Sequence, residues 1–205
     1  MTEPGYFDRL YADQDDPWGL ETSGYEQRKL GLLMTSLPRE GYGNAFEPGC
    51  AIGVTTAALA GRCDRLTAMD CAPAAVHQAR ARLRAHSNVA VVQGCVPDTW
   101  PNETFDLIVL SELLYYLDDP ARREVAERVV ATLAPVGDLA VVHWRHPFAE
   151  AATTGDRVHA ELADRLTPAG LKILTAHIED DFRLEVFRAA RDAADSEELD
   201  ALSEG

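Results

Sequence analysis

Apolar positions along this chain follow two spacings, one helical and one extended, and the two alternate. From Tyr25 to Leu37 the residues Leu30, Leu33, Met34 and Leu37 recur at helical spacing and give a helix one apolar face. Ser23 and Glu26 stand three apart as a capping box, which places the start of that helix near Tyr25. Short apolar runs then alternate with helical stretches. Asn44–Glu47 reads as a first strand, followed by a glycine-containing loop and a helix over Val54–Ala60 that Gly61 closes. Arg65–Met69 reads as a second strand, and the helix after it opens on Pro73 and turns Ala75, Val76, Ala79 and Leu83 inward. Val89–Val92 is a third strand. Phe105–Leu110 is a fourth, apolar on both faces and so expected in the middle of a covered sheet. A helix over Pro120–Leu133 carries Val125, Val129 and Leu133 on its stripe, and Leu139–Val142 is the fifth strand. A helical stretch around Val158–Leu166 precedes Leu171–Ile178 and Arg183–Phe187, which read as a closing antiparallel pair. Such alternation predicts an α/β fold, a three-layer α/β/α sandwich around a mostly parallel sheet, in one domain over residues 25–190.

The two ends of the chain read differently. Residues 1–24 mix Tyr6, Phe7, Tyr11 and Trp18 with Asp13, Asp15 and Asp16, as expected of an N-terminal lid or extra helix. Residues 191–205 gather Asp195, Glu197, Glu198, Asp200 and Glu204, a composition expected to be a solvated, disordered tail. The whole chain of 205 residues has a formal net charge of −15, which argues against a nucleic-acid or anionic-membrane partner, because phosphate contact depends on Lys and Arg. Amine-bearing or uncharged small molecules are favoured instead. No apolar run approaches the roughly 20 residues of a membrane span, and the N-terminus lacks a signal-peptide pattern. Cys50, Cys63, Cys71 and Cys95 form no CxxC pair, so a reduced, cytoplasmic protein is expected.

The chemistry concentrates in the loop Glu47-Pro48-Gly49-Cys50-Ala51-Ile52-Gly53, set between a strand and a helix. Small residues there let the backbone pass close to a ligand, and the helix start favours acceptor groups. Its spacing is not the G-x-G-x-x-G of dinucleotide sites, which disfavours a nicotinamide-dependent oxidoreductase. Asp70 ends the second strand about 20 residues beyond the loop start, where an acidic side chain can accept both hydroxyls of a ribose; alone, it could equally cap the helix at Pro73. With Gln93-Gly94-Cys95-Val96, the run Phe105–Glu112 and Leu133-Ala134-Pro135-Val136-Gly137-Asp138-Leu139, the loop resembles the class I S-adenosylmethionine-dependent methyltransferases. Their first motif is acidic-x-G-x-G-x-G, supplied here by Glu47, Gly49, Ala51 and Gly53, with alanine at the middle glycine. Cys95 stands where that family places an acidic residue, so adenine contacts from this loop would be mainly backbone. More narrowly, Asp16-Pro17-Trp18-Gly19, Tyr25-Glu26-Gln27-Arg28-Lys29, Ser111–Leu117 and His143-Trp144-Arg145-His146-Pro147 resemble the NodS-type nodulation methyltransferases from about Tyr6 to Arg188.

The resemblance implies a Rossmann-like sheet of seven strands, S-adenosylmethionine as cofactor with S-adenosylhomocysteine as product, and N-methylation of a small-molecule acceptor. In that family the acceptor is the free amine of a partly deacetylated chitin oligosaccharide. Expected cofactor contacts are Glu47, Gly49, Ala51, Gly53, Asp70, Cys71, Gly94, Cys95, Val96 and Ser111, with Arg28 on the methionine carboxylate. An ammonium must lose a proton before it can attack, which directs attention to Glu112 and His143 as catalytic candidates at the ends of strands four and five. Each could equally be structural, as a helix cap or a bonded core histidine. Tyr115, Tyr116, Trp144, Arg145 and His146 are expected around the acceptor. No metal site is expected, since His143 and His146 lack a third ligand. O-methylation of another metabolite and a non-catalytic S-adenosylmethionine-binding role remain alternatives.

Overall fold

The computed structural model describes residues 4–190. Two helices come first, α1 (Pro4–Asp13) and α2 (Gly24–Ser36). The alternating body follows as β1 (Tyr42–Pro48), α3 (Val54–Ala60), β2 (Cys63–Asp70), α4 (Pro73–Leu83), β3 (Val89–Gln93) and β4 (Phe105–Ser111). A 3-10 turn (Leu114–Tyr116), α5 (Asp119–Thr132), β5 (Leu133–Trp144), α6 (Gly155–Leu166), β6 (Leu171–Ile178) and β7 (Phe182–Ala189) complete it. One seven-stranded sheet runs in the order β3-β2-β1-β4-β5-β7-β6. The pairings from β3 through β5 are parallel, and β7 is antiparallel to both β5 and β6. Strand order reverses between β1 and β4, so the loops leaving these two strands diverge and open a crevice at the carboxyl edge.

Period-two alternation divides the core between the two faces of the sheet. On β4, Leu107 and Val109 pack with Leu33 of α2, Leu37 just after it and Leu59 of α3, while Ile108 and Leu110 pack with Val125 and Val129 of α5. On β5, Ala140 and Val142 join the first group, and Leu139 and Val141 the second. His143 falls on the second face, where α6 lies. Α-helix α4 is held by its expected inward residues, with Ala75, Val76, Ala79 and Leu83 all buried.

Two local readings change. Ser23 caps α2 and accepts the Glu26 N–H, but the Glu26 carboxylate turns to Lys29 instead of closing a reciprocal box, because the Ser23 N–H is already donated to the Gly19 carbonyl. Strand five, expected over Leu139–Val142, begins earlier: α5 ends at Thr132 and Leu133 pairs directly with Phe105, with an irregularity before the Leu107–Asp138 pair. The acidic residues at 191–205 lie outside the described residues. Among the described residues, no helix is long and apolar enough to cross a membrane.

Candidate functional site

The crevice at the carboxyl ends of the strands deepens into a cavity of about 570 Å³. One half is built by the loop after β1. Gly49 there has φ +75°, and an added Cβ would lie 3.2 Å from Leu113, so glycine suits both the backbone and the space. Ala51 takes φ +51°, where a glycine would sit freely and an L residue is strained by about 1–2 kcal/mol. What holds it is Asp70. Its Oδ2 accepts the Ala51 N–H at 2.8 Å, and its Oδ1 accepts the Ala72 N–H at 2.9 Å. Burial pushes the Asp70 carboxyl up from its ordinary value, against the pull of these backbone bonds. Asp70 therefore ties the loop after β1 to the end of β2 while its carboxylate still lines the cavity. Cys71, Gly94, Cys95 and Val96 continue that wall.

Glu47 also borders the cavity, 2% exposed, and its Oε2 accepts the Thr56 hydroxyl at 2.6 Å. Burial raises its carboxyl to about 7; the Thr56 hydrogen bond works against that rise and the Asp70 charge adds to it. Gly53 has φ +80° and sits behind the loop at the start of α3, facing Ala79 and Leu83 rather than the cavity.

The other half centres on Glu112, immediately after β4. Its backbone has φ +53°, and both oxygens of its carboxylate accept hydrogen bonds. Oε1 accepts Lys29 Nζ at 2.5 Å; Oε2 accepts the Tyr115 hydroxyl at 2.5 Å and the Trp144 N–H at 2.9 Å. Lys29 in turn reaches Glu26 Oε1 at 3.0 Å and lies 5.0 Å from the centre of the Tyr25 ring. Against the desolvation of its ammonium, the charges of Glu112 and Glu26 raise the Lys29 pKa, which keeps it a cation. The Tyr25 hydroxyl, beside this cluster, is buried with no hydrogen-bond partner among the described residues. Ser111, Tyr115, Tyr116 and Trp144 line the same half. An aromatic wall closes it, with the Tyr116 ring 5.0 Å from Phe7 of α1 and 5.5 Å from Phe148.

Besides Gly53, four expected site residues lie elsewhere. Arg28 is displaced from the cavity because Tyr25, Lys29 and Leu33, spaced by four, take the inward face of α2; Arg28 is 57% exposed and pairs with Glu179. Arg145 is spent on Asp156, with contacts of 2.9 to 3.1 Å, and on the Glu179 carbonyl. His146 is exposed and bonds Asp181 at 3.1 Å. His143 is wholly buried on the α6 face of β5, where its Nε2 accepts the Leu114 N–H at 3.1 Å. Burial, then the neighbouring His159 and Lys29, drive its pKa well below the ordinary imidazole value. His143 is not among the residues that line the cavity. The residues missed by sequence reasoning are Glu26 and Lys29, on the same inward stripe as Leu33, together with Tyr6, Phe7 and Phe148, whose only signal was aromatic character.

The profile of one protein family, described as Nodulation protein S (NodS), matches residues 7–167. The nodulation protein S of Sinorhizobium fredii is 39% identical over 127 residues, 61% of this chain and 59% of the relative. That of Bradyrhizobium diazoefficiens is 40% identical over 123 residues, 59% of each chain. The match thus spans under two thirds of these curated relatives' length. Among solved structures, a Pseudomonas syringae protein described as a putative methyltransferase is 42% identical, with TM-score 0.72 over 81% of this chain and 99% of that one. The N-methyltransferase NodS of Bradyrhizobium japonicum WM9 in complex with S-adenosyl-L-homocysteine is 30% identical, with TM-score 0.78 over 90% of this chain and 97% of that one.

Proposed function

The chain belongs to the nodulation protein S family, and we propose that it transfers the methyl group of S-adenosylmethionine to an amine nitrogen of a small-molecule acceptor. The observation that carries this reading is a single cavity with a loop-anchoring carboxylate, Asp70, in one half and a second carboxylate, Glu112, in the other. The residues present suit the cofactor. Asp70 offers a buried acceptor to ribose hydroxyls, the glycine at 49 leaves room for close backbone approach, and Cys71, Gly94, Cys95 and Val96 make a small-residue wall for a flat base. S-adenosylmethionine, when bound, supplies an electrophilic methyl on a sulfonium.

The chain's own residues then do three things. The aromatic wall of Phe7, Tyr116 and Phe148 excludes water from the space before Glu112. Glu112 accepts N–H from an incoming ammonium or amine: each carboxylate oxygen has two acceptor positions, and Oε1 spends only one on Lys29. Tyr115, Trp144 and Lys29 fix that carboxylate, so the acceptor nitrogen is positioned without reorganisation. Proton removal falls to Glu112 or to solvent. His143 is not part of this step. An amino sugar, such as the free amine of a partly deacetylated chitin oligosaccharide, is the acceptor class that the family resemblance implies.

The test is methyl transfer from labelled S-adenosylmethionine to a panel of acceptors, with products identified by fragmentation mass spectrometry. The panel holds partly deacetylated chitotetraose, glucosamine, aliphatic amines and their hydroxyl counterparts. N-methylated products are expected from amine-bearing members only. Methyl found on oxygen would replace this reading with O-methylation, and cofactor binding without turnover on any member would favour a binding protein.

A further inference from the structure

Glu112 and the 3-10 turn behind it shape the acceptor half of the cavity, yet the turn has few bonds of its own. Besides the Ala152 N–H donated to the Tyr115 carbonyl at 2.8 Å, its attachments go to three successive residues of β5. The Glu112 N–H donates to the Val142 carbonyl at 2.8 Å, the Leu114 N–H to His143 Nε2 at 3.1 Å, and the Trp144 N–H to Glu112 Oε2 at 2.9 Å. Of the three, the middle bond alone uses a side chain of β5, and it depends on where the imidazole proton sits.

Behind His143 lies a second buried imidazole. His143 Nδ1 is 3.4 Å from His159 Nε2, and His159 Nδ1 is 2.7 Å from Glu185 Oε2. His143, His159 and Glu185 are buried residues, each at 1% exposure or less. Glu185 Oε1 is held by Arg183 at 2.5 and 3.1 Å. Burial pulls the Glu185 carboxyl up, but the bonds from His159 and Arg183 outweigh it and hold the group below its ordinary value, as a carboxylate. The close fit of α6 that brings His159 into reach depends on Gly155, where any Cβ would lie 2.2 Å from the Trp144 carbonyl oxygen.

Donor and acceptor directions in this line are forced. A carboxylate only accepts, so His159 carries its proton on Nδ1 and its Nε2 is bare. An amide N–H only donates, so His143 Nε2 is also bare, and its proton stands on Nδ1, pointing at His159 Nε2. Each contact then has one donor and one acceptor. If His143 instead carried its proton on Nε2, that proton would face the Leu114 N–H, and the bond holding the turn would become a repulsion.

We propose that His143 is a positioning residue, whose Nδ1–H tautomer, imposed by His159 and Glu185, holds the Glu112–Tyr116 turn in the shape the acceptor half of the cavity requires. Groups facing the relay are Tyr115 from the turn, 5.2 Å between rings, Lys29 from α2 by its charge, His159 from α6, and Glu185 with Arg183 from β7. The assignment stands whatever the acceptor is, because it concerns how the turn is held and not what binds there.

The experiment uses the full chain saturated with S-adenosylhomocysteine. Long-range proton–nitrogen spectra of histidine-labelled protein report the protonated ring nitrogen. Both His143 and His159 are expected to carry a proton on Nδ1 and none on Nε2. Amide exchange is then compared in the parent chain, His143→Ala, His143→Gln and His159→Leu. Loss of the acceptor in His143→Ala should speed exchange at Leu114 by about tenfold or more, the size of one hydrogen bond. The Gln side chain can place its oxygen near the lost Nε2 and should restore most of that protection. His159→Leu frees the His143 tautomer, so it should loosen Leu114 although, among the described residues, the ring of His159 bonds His143 and Glu185 and not the turn. A proton on Nε2 of His143 would overturn the proposal. So would parent-like protection of Leu114 in His143→Ala, or a uniform loss across β4 and β5 that Gln fails to rescue. Should the alanine variant not fold, the ring spectra of the parent and the His143→Gln and His159→Leu exchange decide between the same outcomes.

Discussion

Glu47 offers a test in which the sign is as informative as the size. The perturbation is Glu47→Gln, which keeps shape and hydrogen-bonding capacity and removes the ability to ionise. In the fold this carboxyl is almost wholly buried, with the Thr56 hydroxyl on one oxygen, and burial raises it from an ordinary 4.5 to about 7. The unfolded chain releases that proton near the lower value and the folded chain near the upper one. Between them the native state holds more protons than the unfolded state. Glu47's contribution to stability is therefore complete below the lower value, falls as pH rises through the window, and levels off above the upper one. A gap of that width corresponds to about 3 kcal/mol. The assay is urea unfolding of the parent chain and the variant at about pH 4.5 and about pH 8, taken as the difference between the two proteins so that shared titrations cancel. The variant should gain about 3 kcal/mol on the parent between the two conditions. If the two stabilities run parallel, Glu47 ionises normally in the fold and the desolvation argument is wrong.

Asp70→Asn removes one acceptor and the charge from a carboxylate that anchors Ala51 and Ala72; it should weaken S-adenosylhomocysteine binding about tenfold or more, since one bond to a charged group is worth about 1.5–3 kcal/mol. Calorimetry showing parent affinity in the folded variant would remove Asp70 from the cofactor site. Lys29→Met leaves Glu26 and Glu112 without their shared, nearly buried cation and should cost about 3 kcal/mol of stability. Adding Glu112→Gln should recover part of that loss, and strictly additive unfolding energies would refute the coupling. Arg28→Ala, at an exposed pair, should leave S-adenosylhomocysteine affinity within about twofold of the parent; a larger loss would return Arg28 to the cofactor.

The fold was legible because its elements agree across levels. Continuous apolar strands, inward small residues on α4 and a cap at Ser23 each point to the same layered sheet, and each appears at or within a few residues of the expected place, apart from β5, which begins at Leu133 and not Leu139. The half of the cavity proposed for the cofactor was legible for a related reason: it is made by short loops at strand ends, whose positions follow from the strands. The acceptor half was not, because it is assembled from α1, α2, the turn after β4 and the loop after β5. Choosing Arg28 over Lys29 illustrates the difficulty, since one step along a helix rotates a side chain by about 100° and moves it from solvent to cavity. His143 was expected to face the cavity because it ends a strand, but a strand presents alternate residues to opposite faces. Its neighbours Val142 and Trp144 border the cavity, and His143 faces α6.

At position 112 the backbone and the side chain of one residue favour opposite choices. A φ of +53° suits glycine, whereas the bonds to Lys29, Tyr115 and Trp144 require a carboxylate. Truncation to alanine would lose the bonds and retain the strain, while glycine would lose both. The usual ranking of alanine over glycine is thus reversed here. A relative that had abandoned this carboxylate would be expected to drift to glycine, so the residue aligned with position 112 separates two kinds of descendant: glycine marks a turn kept for its shape, and glutamate marks one kept for its charge.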